Sequence, residues 1–175
     1  MDGIAPLLAE LVAALPTTPA IVVDGRWDVI ASNALAQAVS PSLTAGVNLA
    51  EATFDNLSAH RTLPQWQDVS ARMAGLLKES VSAAGDARSR AEGLRADLAG
   101  RSADFARAWN DATVPAEYAL EVTMDHPDVG RIEITYELLR VPDADQTLIL
   151  GHVAPGSLSE RRLYELAAHL DPPAR

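Results

Sequence analysis

The groups in this sequence that could carry chemistry are four histidines, one serine between a strand and a helix, and a few paired carboxylates. His60, His126, His152 and His169 are scattered, and no two lie within five residues of each other. No pattern of the HExxH kind therefore sets two imidazoles on one helix face for a metal. The ordinary reading of each is structural. His126 belongs to the turn Asp125-His126-Pro127-Asp128, His152 to a strand, and His60 and His169 lie in or near helix ends. Gly156-Ser157-Leu158-Ser159 stands where a nucleophile elbow would stand. It lacks the second glycine of G-x-S-x-G, and Ser157 with Glu160 reads better as a helix cap. Asp143 with Asp145, and Asp125 with Asp128, fall in hairpin loops, where carboxylates serve the turn. Gly25, Gly46 and Gly130 stand alone, so no glycine-rich loop is there to cradle a phosphate. There is no cysteine, which removes disulfides, thiolate metal sites and thiol nucleophiles. No catalytic residue, metal or cofactor is expected. A small hydrolase assembled from scattered groups is the remoter alternative.

A set of large apolar residues is more informative. Trp66, Met73, Phe105 and Trp109 lie on the inward faces of separate helical segments, and Tyr136 on the inward face of a strand. Such stripes make an ordinary filled core, or they line an apolar cavity of the kind that small molecules use. Lys78, Arg72 and Arg107 are the cations placed to meet an acidic head group at the mouth of such a cavity.

The 175 residues carry 14 basic against 24 acidic side chains, a net charge of −10. Lys78 is the single lysine. A surface of this sign repels DNA, whose binding depends on Lys and Arg neutralising phosphates. No apolar run reaches the ~18 residues of a membrane span. Met1-Asp2-Gly3-Ile4 lacks the basic start of a signal peptide. A cytoplasmic protein that contacts neither DNA nor membrane by itself is the expectation, folded as a single domain over residues 1–175.

The elements that must position these groups follow from periodicity. Ile4 to Leu15 has helical spacing and ends at Pro16. Ala20–Val23 and Arg26–Ile30 flank Asp24-Gly25, which predicts a two-residue type I′ hairpin. Asn33 caps a short helix through Val39. Residues 40–61 are irregular. From a capping box of Thr62 and Gln65, a helix of about six turns runs on. A second helix carries Ala87, Ala91, Leu94 and Leu98, and a third opens at Ser102. The period then becomes two. Tyr118–Met124 and Ile132–Leu138 read as strands with one wet face, and Leu148–Val153 as a central strand covered on both. A final helix runs from Ser157 to His169. The order is helix, two strands, a helical block, three strands, helix. It fits an α+β domain, PAS-like, whose five-stranded antiparallel sheet has the helices inserted between strands 2 and 3 packed on one face.

Six segments occur in an order that resembles a known family. They are Thr18-Pro19-Ala20-Ile21-Val22-Val23-Asp24, the stretch Asp28 to Ala36, Pro64-Gln65-Trp66, Asp104-Phe105-Ala106-Arg107-Ala108-Trp109, His126-Pro127-Asp128-Val129-Gly130 and Ala154-Pro155-Gly156-Ser157. Together they are similar to the ligand-binding domain of MmyB-like transcription regulators, from about Leu8 to Ala168. The resemblance implies a sensor of an Xre-type regulator that binds a small apolar, fatty-acid-like ligand. It also implies a helix-turn-helix DNA-binding module outside this chain. A homodimer is expected separately, because symmetric pairs are the commonest oligomers and the N-terminal helix carries the apolar residues Leu7, Leu8, Leu11 and Leu15. The departures are Lys78, where the family tends to arginine, and Glu121-Val122-Thr123-Met124-Asp125, where basic residues often stand. The segment Pro41 to Asn56 matches poorly, and a pocket lid is expected there. The ligand-binding residues expected are Trp66, Met73, Phe105, Trp109, Tyr136, Lys78, Arg72 and Arg107. The alternative is a dimerisation module with a filled core and no ligand.

Overall fold

A computed structural model describes residues 6–55, 65–82, 86–111, 118–141 and 144–170. It is α+β, with one five-stranded sheet of order β2-β1-β5-β4-β3 in which every neighbouring pair is antiparallel. The strands are β1 (Ala20–Asp24), β2 (Val29–Ser32), β3 (Ala119–His126), β4 (Gly130–Arg140) and β5 (Gln146–His152). The helices are α1 (Pro6–Ala13), α2 (Ala34–Val39), α3 (Leu49–Asp55), α4 (Trp66–Ser82), α5 (Asp86–Arg101), α6 (Ala103–Asn110) and α7 (Leu158–Leu170), with a 3₁₀ turn at Pro41–Leu43. The last strand of the chain inserts beside the first, so β5 is central. Its alternating side chains are dry on both faces: Leu148 lies under α1, and Ile149 faces the main core with α3 to α6. That explains the continuous apolar run read from the sequence.

Two asparagines join the elements. Asn33 caps α2 by accepting from the Ala36 amide at 2.9 Å. Its amide nitrogen donates to the carbonyls of Leu15 and Thr18, both at 2.8 Å, holding the end of the first helical segment to the start of β1. Asn48 does the same for α3. It accepts from the Glu51 amide at 3.0 Å and donates to the Arg26 carbonyl at 2.7 Å. Both are buried, and each satisfies backbone groups that would otherwise be orphaned at a helix start. Ser102 caps α6 and Ser157 caps α7 as the sequence indicates. The Ser157 hydroxyl accepts from the Glu160 amide at 3.1 Å, and Glu160 reaches back to the Gly156 amide at 2.8 Å.

Two local expectations need correction. The turn after β1 is not a two-residue type I′ loop. Asp24 accepts from the amides of Arg26 and Asp28 through its carboxylate and from the Trp27 amide through its carbonyl. The chain therefore rounds a longer loop, and the left-handed residue is Trp27, with φ of 67°, rather than Gly25. A bulky side chain there costs about 1–2 kcal/mol, which the surrounding contacts must offset. The second correction concerns Gln65. Thr62 lies outside the described residues, and the Gln65 side chain turns to the edge strand instead. It accepts from the Thr123 amide at 3.0 Å and donates to the Thr123 hydroxyl at 3.3 Å.

α1 folds back on the outer sheet face, where Val12 packs with Ala20, Val22 and Leu148. α2 and α7 share the other face near the start of β4, with Leu35, Val39, Leu163 and Leu166 on Ile132 and Ile134. Ser159 accepts from the Glu133 amide at 3.0 Å and so covers the part of β4 that extends past β5. No described helix is long and apolar enough to cross a membrane.

Candidate functional site

Between the inner sheet face and the helices the core is not closed. A cavity of about 380 Å³ remains. Its sheet wall is made by Ile21, Ile149, Leu138, Tyr136 and the β3 residues Leu120, Val122 and Met124. The opposite wall comes from one face of α4, where Trp66, Val69, Met73 and Leu76 recur at three- and four-residue steps. Leu49, Ala52 and Thr53 of α3 and the Val39–Leu43 segment form a side, and Trp27 an end. The segment in which a lid was expected thus supplies lining as the 3₁₀ turn and α3.

The structure brings together four of the eight residues expected at a ligand site. Trp66, Met73, Tyr136 and Arg72 all line the cavity. Trp66 is oriented by its indole N–H, which donates to the Thr53 carbonyl at 3.2 Å and joins α4 to α3. Tyr136 lies opposite Gly151, where a Cβ would come within 3.1 Å of its ring, so glycine leaves the ring its space. Desolvation holds the Tyr136 phenol well above its usual value of 10.0, so it is a neutral hydroxyl. Arg72 spans the seam between α4 and the edge strand, donating to the Ala119 carbonyl at 2.8 Å.

The other four lie elsewhere. Phe105 is fully buried behind the cavity wall, with its ring 5.0 Å from Phe54 and edge-on to it. Trp109 stacks on Phe105 at 5.6 Å. Its ring is flanked by Lys78 and Arg95, at 5.6 and 5.7 Å from the centroid. Lys78 also donates to the Asp111 carbonyl at 2.8 Å. Arg107 has a side chain 74% exposed and pairs with Asp104 at 2.6 Å. A row of aromatic contacts therefore runs from Trp66 through Phe54 and Phe105 to Trp109, and only its first member lines the cavity.

Several of the groups weighed for catalysis have structural partners. His126 is buried, with Nε2 2.8 Å from the Ala38 carbonyl and Nδ1 accepting from the Asp128 amide at 3.2 Å. That arrangement places its proton on Nε2 and ties β3 to α2. His152 sits 3.4 Å from Glu137 on the exposed sheet face. Among the described residues no group of three His, Asp or Glu side chains is placed to hold a metal. His60 and Asp143 lie outside the described residues.

A family model for the MmyB-like transcription regulator ligand binding domain matches residues 4–167. The chain belongs to this family. The match spans the sheet and α1 to α6, and most of α7, so the cavity lies inside the family's region throughout. Comparison with curated proteins gives no match. As a ligand-binding domain of transcription regulators, the family is not a class of enzymes.

Sequence reasoning missed Trp27, Phe54 and the α3 wall. Trp27 alternates with Arg26 and Asp28 as a strand residue would, and nothing in that spacing marks its left-handed backbone. α3 had a readable signal: Asn48 followed by Glu51 is a cap preceding the apolar residues Leu49, Ala50 and Phe54.

Proposed function

We propose that this domain is the sensor of a bacterial transcription regulator and that its cavity takes a small, fatty-acid-like molecule. One observation carries the reading: a cavity of about 380 Å³ whose walls are mainly apolar, with Arg72 as the one Arg or Lys among lining residues that also include Ser40, Ser42, Thr53, Asp125 and His126. Apolar walls reward an alkyl chain by about 0.8 kcal/mol per methylene removed from water. Ten methylenes give ample gross binding energy, even after the cost of immobilising the chain. The acid head stays at the α4–β3 seam, where Arg72 turns from the Ala119 carbonyl to the carboxylate. A core that leaves this space inside it speaks against the alternative of a filled dimerisation module.

Binding rather than catalysis is supported by the use of the candidate groups. The Ser157 hydroxyl caps a helix and both nitrogens of His126 bond to backbone. Contact with DNA falls to a helix-turn-helix module of the regulator, in the cytoplasm, because this domain is strongly acidic.

The test compares decanoic acid with decanol by titration calorimetry, on the wild type and on Arg72→Ala. A charge-assisted hydrogen bond contributes about 1.5–3 kcal/mol, so the variant should bind the acid roughly ten- to a hundredfold more weakly. The alcohol should bind both proteins within a few-fold. Equal loss for acid and alcohol would remove Arg72 from the head-group role.

A further inference from the structure

Trp27 borders two cavities. One is the apolar cavity described above. The other, of about 340 Å³, has a mixed lining in which Asp24, Ser80, Arg140 and Gln146 stand beside apolar residues such as Val141 and Ala144. Leu76 of α4 and Leu138 of β4 also face both spaces. These three residues are therefore shared by the walls of a mainly apolar cavity and of one with mixed lining.

The indole is the part of this shared wall that is fixed most firmly. Trp27 is 6% exposed, and its ring N–H donates to the Ser80 hydroxyl at 3.2 Å, which anchors it to α4. Its carbonyl accepts from the Leu49 amide at 2.8 Å, which anchors it to α3. Among the described residues it is the only non-glycine with positive φ. A strained backbone held by contacts on two helices sets the ring in one place, and such strain persists where the surroundings enforce it. A chain growing through the apolar cavity gains with each methylene until it meets this wall.

We propose that Trp27, with Leu76 and Leu138, sets the length of the acyl chain that the domain accepts. The proposal rests on the ligand class argued under Proposed function. It makes Trp27 a specificity residue, touching the ligand where the cavity ends against it.

The experiment is a titration of straight-chain saturated fatty acids of increasing length against the wild type, Trp27→Gly and Leu76→Ala. In the wild type, affinity rises to an optimum length and then falls. Glycine suits the left-handed turn, and Trp27→Gly moves the optimum to longer chains. Past the wild-type optimum, each added methylene then tightens binding, by up to roughly fourfold. If Trp27→Gly fails to fold by circular dichroism, Leu76→Ala, which thins the same wall, must show the shift. An optimum that stays in place in the folded variants overturns the proposal, as does a wild-type affinity that keeps rising with length. In both cases acyl binding itself stands. Absence of binding at every length in the wild type overturns the ligand reading, and the proposal with it.

Discussion

Tyr136 shows how one residue couples the cavity to stability. In the unfolded chain its phenol ionises near the usual value of 10.0, whereas desolvation raises it in the folded protein. The folded state thus favours the protonated form. Stability from this group is complete below pH 10 and is lost as pH rises from there toward the folded value, by about 1.4 kcal/mol per pH unit. Tyr118, which donates to Glu79 at 2.8 Å, is shifted in the same direction, so the informative quantity is a difference between proteins. Urea melts of the wild type and of Tyr136→Phe should diverge between about pH 9 and about pH 11, the variant losing less. Parallel curves would mean that the phenol is not desolvated.

At the scale of elements, α3 carries the greatest consequence. It is short, yet it contributes Leu49, Ala52 and Thr53 to the cavity. Its outer side is held by Arg101 of α5, which pairs with Glu51 at 3.1 Å and with Asp55, while Asp97 orients the same guanidinium at 2.8 Å. These groups are partly exposed, and such pairs contribute about 0.2–1 kcal/mol each. Arg101→Ala should therefore lower stability by only about 1–2 kcal/mol and yet quicken ligand release, because a cavity wall is loosened. Stopped-flow displacement of a bound fluorescent fatty acid reads the release rate. An unchanged rate would show that α3 does not gate the cavity.

The legibility of the sequence divides along the same elements. Strands and long helices were visible because apolar residues repeat at periods of two and 3.6, and the caps at Asn33, Ser102 and Ser157 because small polar side chains stop helices locally. The central place of β5 was legible in its continuous apolar run, whereas its pairing with β1 joins segments far apart in the chain and has no local signal. The cavity wall was legible on α4 and at Tyr136. Phe105 and Trp109 share the inward period with Trp66, but periodicity records only burial, and buried residues can stand behind a wall as well as on it. The cations were unranked because their partners, Ala119 for Arg72 and Asp111 for Lys78, are distant in sequence. Trp27 was misplaced because a residue in left-handed conformation looks like any strand residue until its neighbours are known.

On the scale of the whole molecule, the outer sheet face bears on assembly. α1 buries Val12 but leaves Leu7 79% and Leu11 43% exposed. We propose that a second copy of the chain covers them, because an isologous pair would bury the same leucines on both partners. Sedimentation should show a dimer that Leu7→Glu with Leu11→Glu returns to monomer, without change in the circular dichroism of the fold. A wild type that stays monomeric at high concentration would remove α1 from assembly. The net charge of −10 disfavours contact of the domain with duplex DNA.

The most direct measurement is calorimetric titration of decanoic acid into the wild type and into Met73→Trp, whose indole fills the centre of the cavity from α4. The account predicts one acid bound per wild-type chain, with the negative heat-capacity change of apolar burial, and at least a tenfold loss in the variant while it remains folded, the equivalent of about 1.4 kcal/mol or more. No heat of binding in the wild type, or equal affinity in a folded Met73→Trp, would contradict it.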